Sequence, residues 1–305
     1  MAVPSKLVRL QFAIIRPFAK ICSVNVLRFT QTTLGKLMVR PNKSKVRYSP
    51  KVFSDFVGEW IFPNEQKSDG IVLYLHGGGY VAGDIKYAKG FGTTLAVKNG
   101  IRVFCAAYRL APEFAFPAAL DDAVTSYKYL LESGFPAEKI IVAGESAGGG
   151  LVFALMLKLK ELNLPLPAGL IALSPWTDLT LSGESYTYNV KNESLLTKNR
   201  LEFFASLYAA DDAANPYISP LFGDLSDFPP SLIISGGDEI LLEDSIRIHA
   251  KLLEANNQSE ILVTPKMWHV YPMYGVKEAQ KDHQTIFGFI TEALNESEQF
   301  HVDAP

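Results

Sequence analysis

Lys139-Ile-Ile-Val-Ala-Gly-Glu-Ser-Ala-Gly-Gly-Gly-Leu-Val-Phe-Ala-Leu-Met-Leu-Lys158 decides the fold. Its first six residues read as a short buried strand and the run after Ser146 as a helix. Between them, Gly144-Glu145-Ser146-Ala147-Gly148 forms a Gly-x-Ser-x-Gly turn. A turn this sharp lifts one serine hydroxyl above a sheet, and glycines flank it because a Cβ would clash. The helix begins beside the serine, so its free N–H groups face any negative charge formed there. By composition alone the motif recurs in roughly one chain in ten of this length. The strand before it and the helix after it give it meaning.

Outward from this turn, short apolar runs alternate with helical patterns. Strands are expected at 71–75, 101–107, 139–144, 170–174, 231–235 and 260–264. Helices are expected at 87–99, 118–132, from the elbow onward, at 240–255 and at 282–295. That alternation predicts an α/β fold with a mostly parallel central sheet flanked by helices, and ligands bound off the carboxyl ends of its strands. Two stretches break the alternation. Residues 1–45 read as helical. Residues 182–215 carry Tyr186, Tyr188, Leu195, Leu196, Phe203, Phe204 and Tyr208 with no strand signal. The expected division is a core of 46–181 and 216–305 under a helical cap of 1–45 and 182–215, whose two parts pack on each other.

Composition narrows the function classes. The chain has 305 residues, 48% hydrophobic and 20% charged, with a net charge of −3. That balance suits a globular enzyme and gives nucleic acid no basic footprint. Two cysteines, Cys22 and Cys105, are too few for a disulfide framework or a zinc site and read as buried thiols. The stretch Lys6–Lys20 is apolar but interrupted by Arg9 and Arg16, so it reads as an amphipathic helix on the protein's own surface, with reversible contact with a lipid interface as the alternative, rather than as a signal or a membrane span. The expected location is cytoplasmic, without stable membrane insertion.

Serine needs a base within hydrogen-bond reach, and this architecture orders its partners Ser, then Asp or Glu, then His. His76 precedes the serine. His249 and His283 fall in helix patterns, and His301 lies in a polar tail. His269 follows the last strand in Met267-Trp268-His269-Val270 and is the candidate base. In Ser231-Leu-Ile-Ile-Ser-Gly-Gly-Asp238-Glu239, Asp238 comes first after the glycines and is assigned as the acid. Glu239, Glu243 and Asp244 are assigned to the first turn of the next helix, where acids complement the dipole. His76-Gly77-Gly78-Gly79-Tyr80 follows the first clear strand, and its glycines let backbone N–H groups approach an oxyanion. The same run fits a loose dinucleotide fingerprint, but no Asp or Glu occurs between 85 and 112 to hold a ribose.

Taken together, His76-Gly-Gly-Gly79, Gly144-Glu-Ser-Ala-Gly-Gly149, Asp238 and His269 resemble the hormone-sensitive-lipase branch of the α/β-hydrolases. Tyr108-Arg-Leu-Ala-Pro-Glu113, Ser174-Pro-Trp-Thr-Asp178 and Tyr217-Ile-Ser-Pro-Leu221 are similar to that branch as well. The resemblance implies an eight-stranded core sheet and hydrolysis of short-to-medium acyl esters by Ser146, His269 and Asp238, with neither metal nor cofactor. It places the oxyanion donors on Gly78, Gly79 and Ala147, supported by His76, Gly77 and Glu145, and gives Arg109, Glu113, Asp121 and Asp122 to charge pairing. Trp176, Phe203, Phe204 and Ile240 are either acyl-pocket lining or ordinary cap packing. The expected partner is a small-molecule ester, with a homodimer as an option. Lactone hydrolysis and deacetylation use the same apparatus. Gibberellin receptors resemble this branch too but lack the histidine that His269 supplies here.

Overall fold

The computed structural model describes residues 4–11 and 23–302, with side chains through Leu294. Cys22 and most of the Lys6–Lys20 stretch lie outside the described residues; residues 5–11 are helical. Eight strands form one sheet: β1 (Val46–Val52), β2 (Val57–Pro63), β3 (Ile71–Leu75), β4 (Arg102–Ala107), β5 (Ile140–Glu145), β6 (Gly169–Leu173), β7 (Ser231–Gly236) and β8 (Ser259–Thr264). Their spatial order is β1-β2-β4-β3-β5-β6-β7-β8. The six strands from β4 to β8 run parallel, and β2 pairs antiparallel with both β1 and β4.

The helices are α1 (Val24–Val39), α2 (Ile85–Asn99), α3 (Ala118–Glu132), α4 (Ala147–Glu161), α5 (Ser185–Tyr188), α6 (Lys198–Tyr208), α7 (Leu242–Glu254) and α8 (Ala279–Val302). Two apolar layers sandwich the sheet. Residues of α3, α4 and α7 join Leu73, Leu75, Val142 and Ile233 on one face; those of α2 and α8 join Val72, Tyr74, Ile141 and Ile234 on the other. Strands β3 and β5 are buried along their whole length, as a sheet covered on both faces requires.

Strand order reverses at the centre. From β3 the chain crosses through α2 to β4 on one side, and from β5 it crosses through α4 to β6 on the other. The loops after β3 and β5 therefore splay apart and open a crevice at the carboxyl ends of the strands. The glycine loop follows β3 and Ser146 follows β5, so the topology itself brings them together.

Strands β1 and β2 carry no clear signal of their own. Val46-Arg-Tyr-Ser-Pro-Lys-Val52 is mostly exposed and contains Pro50, which an edge strand tolerates because it has no partner to receive a donor on that side.

Candidate active site

Ser146 sits at φ 55°, ψ −122°, a backbone conformation side chains seldom adopt. The surroundings enforce it. Ser146 N–H donates to Leu173 O at 2.9 Å, and Ser146 O accepts from Gly150 N–H at 3.0 Å and Trp176 N–H at 2.9 Å. A Cβ on Gly144 would stand 2.4 Å from Gly148 O, and one on Gly148 would stand 2.1 Å from Leu75 O. No side chain fits at either position, which is why the turn is written with glycines.

The hydroxyl that this turn presents meets the base chosen from chain order. Ser146 Oγ lies 2.9 Å from His269 Nε2. The imidazole is buried, and the next residue is pinned by Val270 N–H donating to Ser174 Oγ at 3.0 Å.

The carboxylate that meets the imidazole is not that of Asp238. His269 Nδ1 lies 2.8 Å from Glu239 Oε2, while the Asp238 carboxylate pairs with Arg9 at 2.7 Å. The reason lies in the turn after β7. Helix α7 begins only at Leu242, so Glu239 is still in the turn and points inward. Its Oε1 accepts from Gly236 N–H at 3.0 Å and from the Ser235 hydroxyl. Asp238, one residue earlier, turns outward and is 23% exposed against 0% for Glu239. The signal in the sequence was Ile240-Leu241: two buried apolar residues directly after Glu239 draw that end of the turn into the interior. Glu243 and Asp244 do lie in the first turn of α7, as expected.

The segment 182–215 reaches this site from above. Asn189 Nδ2 donates to Gly237 O at 3.1 Å and to Glu239 O at 3.0 Å, fixing the turn that carries the acid. Glu193 is fully buried close enough to His269 for mutual attraction, and burial raises its carboxyl above the ordinary range. Neither residue carries a motif that would mark it in advance.

The glycine loop lies opposite the hydroxyl. A Cβ on Gly77 would fall 3.0 Å from the Ser146 Cβ. Gly78 and Gly79 take φ +122° and +65°, and their N–H groups donate to no partner among the described residues. Ala147 opens α4, so its N–H belongs to the first turn, which lacks intrahelical acceptors. His76 and Glu145 shape the loop. His76 stacks on Tyr108 with ring centroids 4.2 Å apart, and Glu145 accepts from Gly77 N–H at 2.6 Å and from the Tyr74 hydroxyl. Phe204 of α6 covers Gly79, where a Cβ would meet its ring at 2.3 Å. Trp176 and Ile240 are buried with it, whereas Phe203 faces outward. Of the charged residues, Arg109 pairs with Asp122 and Glu113 with Arg28, both at 2.7 Å, whereas Asp121 is exposed and in no ion pair among the described residues.

The buried carboxyls have a consequence for stability. Burial pushes Glu145 up to about 7 and Asp244 up to about 8. Each holds a proton that the unfolded chain has already released, so its contribution is complete at low pH and lost as pH rises through the folded value. Burial pushes His76 and His283 down to about 4, and their contribution is lost in the opposite direction, as pH falls below about 6.5. Of these four groups only the carboxyls titrate above neutrality. Unfolding free energy should therefore fall from about pH 6.5 to about pH 8.5, by up to about 1.4 kcal/mol per pH unit for each proton involved. Denaturant titrations across that range check the slope, and Glu145→Gln should remove the part centred near neutrality.

A profile described as α/β hydrolase fold matches residues 72–273. An acetyl-hydrolase of Streptomyces hygroscopicus is 38% identical over 71% of this chain and 72% of its own. An esterase of Acinetobacter venetianus is 34% identical over 82% of both chains. Among solved structures, an esterase from the bacterial hormone-sensitive lipase family superposes with a TM-score of 0.88 at 32% identity, covering 96% of this chain and all of the other. With the glycine loop, the serine elbow and the eight-stranded sheet in place, the chain belongs to the hormone-sensitive-lipase branch of the α/β-hydrolase fold family.

Proposed function

We propose that this protein is a serine carboxylesterase that hydrolyses short-to-medium acyl esters through an acyl-enzyme. The observation that carries the reading is the unbroken line from Ser146 Oγ through His269 to Glu239, at 2.9 and 2.8 Å. His269 Nε2 takes the serine proton as Oγ attacks the ester carbonyl carbon. Glu239 holds Nδ1–H, fixing the tautomer and stabilising the imidazolium as it forms. The developing oxyanion is met by the N–H groups of Gly78, Gly79 and Ala147, each worth about 3–4 kcal/mol of barrier in such sites. His269 then protonates the departing alcohol, and a water deprotonated by the same imidazole releases the acid.

A small acyl group is favoured because Phe204 closes directly over the glycine loop. Relatives named as an acetyl-hydrolase and an ethyl acetate hydrolase fit this size, so deacetylation of a small ester is the form of the reaction to test first. Residues 1–45 and 182–215 serve as the cap over a core of 46–181 and 216–305. Arg28 of α1 donates to Val81 O and Ala111 O, and Phe204 of α6 meets Gly79, so both segments bear on the same loop. We place the enzyme in the cytoplasm, where the buried thiol of Cys105 suits a reducing compartment. No helix among the described residues is long and apolar enough to cross a membrane. A homodimer belongs to the reading as well, since β8 leaves an open sheet edge for a second copy.

A fluorophosphonate probe should label one residue per chain, mapping to Ser146. A p-nitrophenyl ester series from acetate to palmitate should peak at the short end. Preference for dodecanoyl or longer esters would overturn the substrate class, and absence of labelling would overturn the mechanism.

A further inference from the structure

The first 54 residues hold eleven of the chain's 29 Lys and Arg and none of its 32 Asp and Glu. Helix α1 lies within this stretch and has two faces. Its inner face is fixed to the glycine loop and the start of α2. Arg28 bonds Val81 O and Glu113, Thr32 Oγ1 donates to Asp84 at 2.8 Å, and Gly35 lies so close to α2 that a Cβ would stand 2.2 Å from Lys86 O.

Its outer face runs through Val26, Phe29, Thr30, Thr33, Lys36, Leu37 and Arg40, positions that fall within about a third of the helix circumference at 3.6 residues per turn. A surface helix normally turns polar residues outward. Here Val26, Phe29 and Leu37 are 45%, 72% and 48% exposed. Lys36 and Arg40 flank them, and Lys43 and Lys45 follow in the next turn, all exposed and in no ion pair among the described residues. Large apolar side chains interleaved with unpaired cations, without a single acid, are the composition of a helix that lies on an anionic lipid surface.

We propose that the outer face of α1 docks this protein reversibly on the surface of an anionic bilayer. Phe29, Leu37 and Val26 enter the headgroup boundary while Lys36, Arg40, Lys43 and Lys45 engage lipid phosphates. Charge selects this occupant over a second copy, because a two-fold contact would set this basic face against itself. Docking there brings the helix that braces the glycine loop against the membrane, so esters dissolved in the bilayer would meet the protein on its site-bearing side. The inference stands independently of the esterase reading.

The test is sedimentation of the full-length protein with vesicles of phosphatidylcholine, with and without phosphatidylglycerol, at low and high salt. Binding is expected to require phosphatidylglycerol and to weaken with salt. Lys36→Gln combined with Arg40→Gln should weaken it about thirtyfold, and Phe29→Ser about tenfold. Both variants should retain wild-type turnover of a water-soluble acetate ester, which shows them folded. Failure to bind, equal binding to both vesicle types, or unchanged binding of both variants would overturn the proposal. So would a concentration-dependent dimer that Phe29→Ser dissociates, since the face would then belong to a second copy.

Discussion

Ser146→Ala should lower kcat/KM for p-nitrophenyl butyrate by roughly a millionfold, leaving the thousandfold or so over water that binding and an oxyanion site supply on their own. The size of the loss follows from where the hydroxyl sits. Ser146 Oγ is the atom bonded to His269 Nε2, and the glycine loop closes on the same side chain. The fold should survive intact. The turn is held by backbone bonds from Ser146 N–H to Leu173 O and to Ser146 O from Gly150 and Trp176, none of which uses the hydroxyl. Thermal unfolding measured beside turnover separates the two effects. An unshifted transition with abolished hydrolysis is the expected pair of results, and retained turnover above a few per cent would remove the serine from the mechanism.

What could be read from the residues was whatever topology constrains. Ser146 and His269 were legible because each lies just past a strand's carboxyl end and the chain order leaves few histidines to choose from. Gly144 and Gly148 announced the turn because nothing larger fits there. The carboxylate beside His269 lies one residue from the one the sequence points to, for a local reason. Asp238 and Glu239 share a turn without periodicity, and which of them faces inward depends on how far that turn runs before α7 begins at Leu242. Strands β1 and β2 were not distinguished because β1 is a mostly exposed edge, and β2, though largely buried, mixes Gly58, Glu59 and Pro63 with its apolar residues. Asn189 and Glu193 were illegible for a third reason: their importance arises from an irregular segment folding back onto a turn some fifty residues away. No spacing rule relates the two.

That one-residue difference in the acid is open to a decisive comparison. Glu239→Gln should reduce kcat by roughly a thousandfold to ten-thousandfold with little change in KM, while Asp238→Asn should stay within about threefold of wild type. Two donors, Gly236 N–H and the Ser235 hydroxyl, converge on Glu239 Oε1. In the glutamine variant the amide oxygen must stay with them, since turning the NH2 group that way would set it against Gly236 N–H and leave that backbone donor unpaired in the interior. The NH2 is then aimed at His269 Nδ1, which must become an acceptor. The ring proton moves to Nε2, and an imidazole protonated there has no lone pair left for the Ser146 hydroxyl. The base is lost through its tautomer while the site keeps its shape. Asp238 has no such leverage, because its carboxylate bonds a partly exposed Arg9. Single-turnover kinetics on a soluble acetate ester would show the Glu239→Gln defect in acylation itself. The reverse pattern, a large loss at Asp238 and near-normal rates at Glu239, would return the acid to the residue first assigned and require the turn after β7 to be rebuilt.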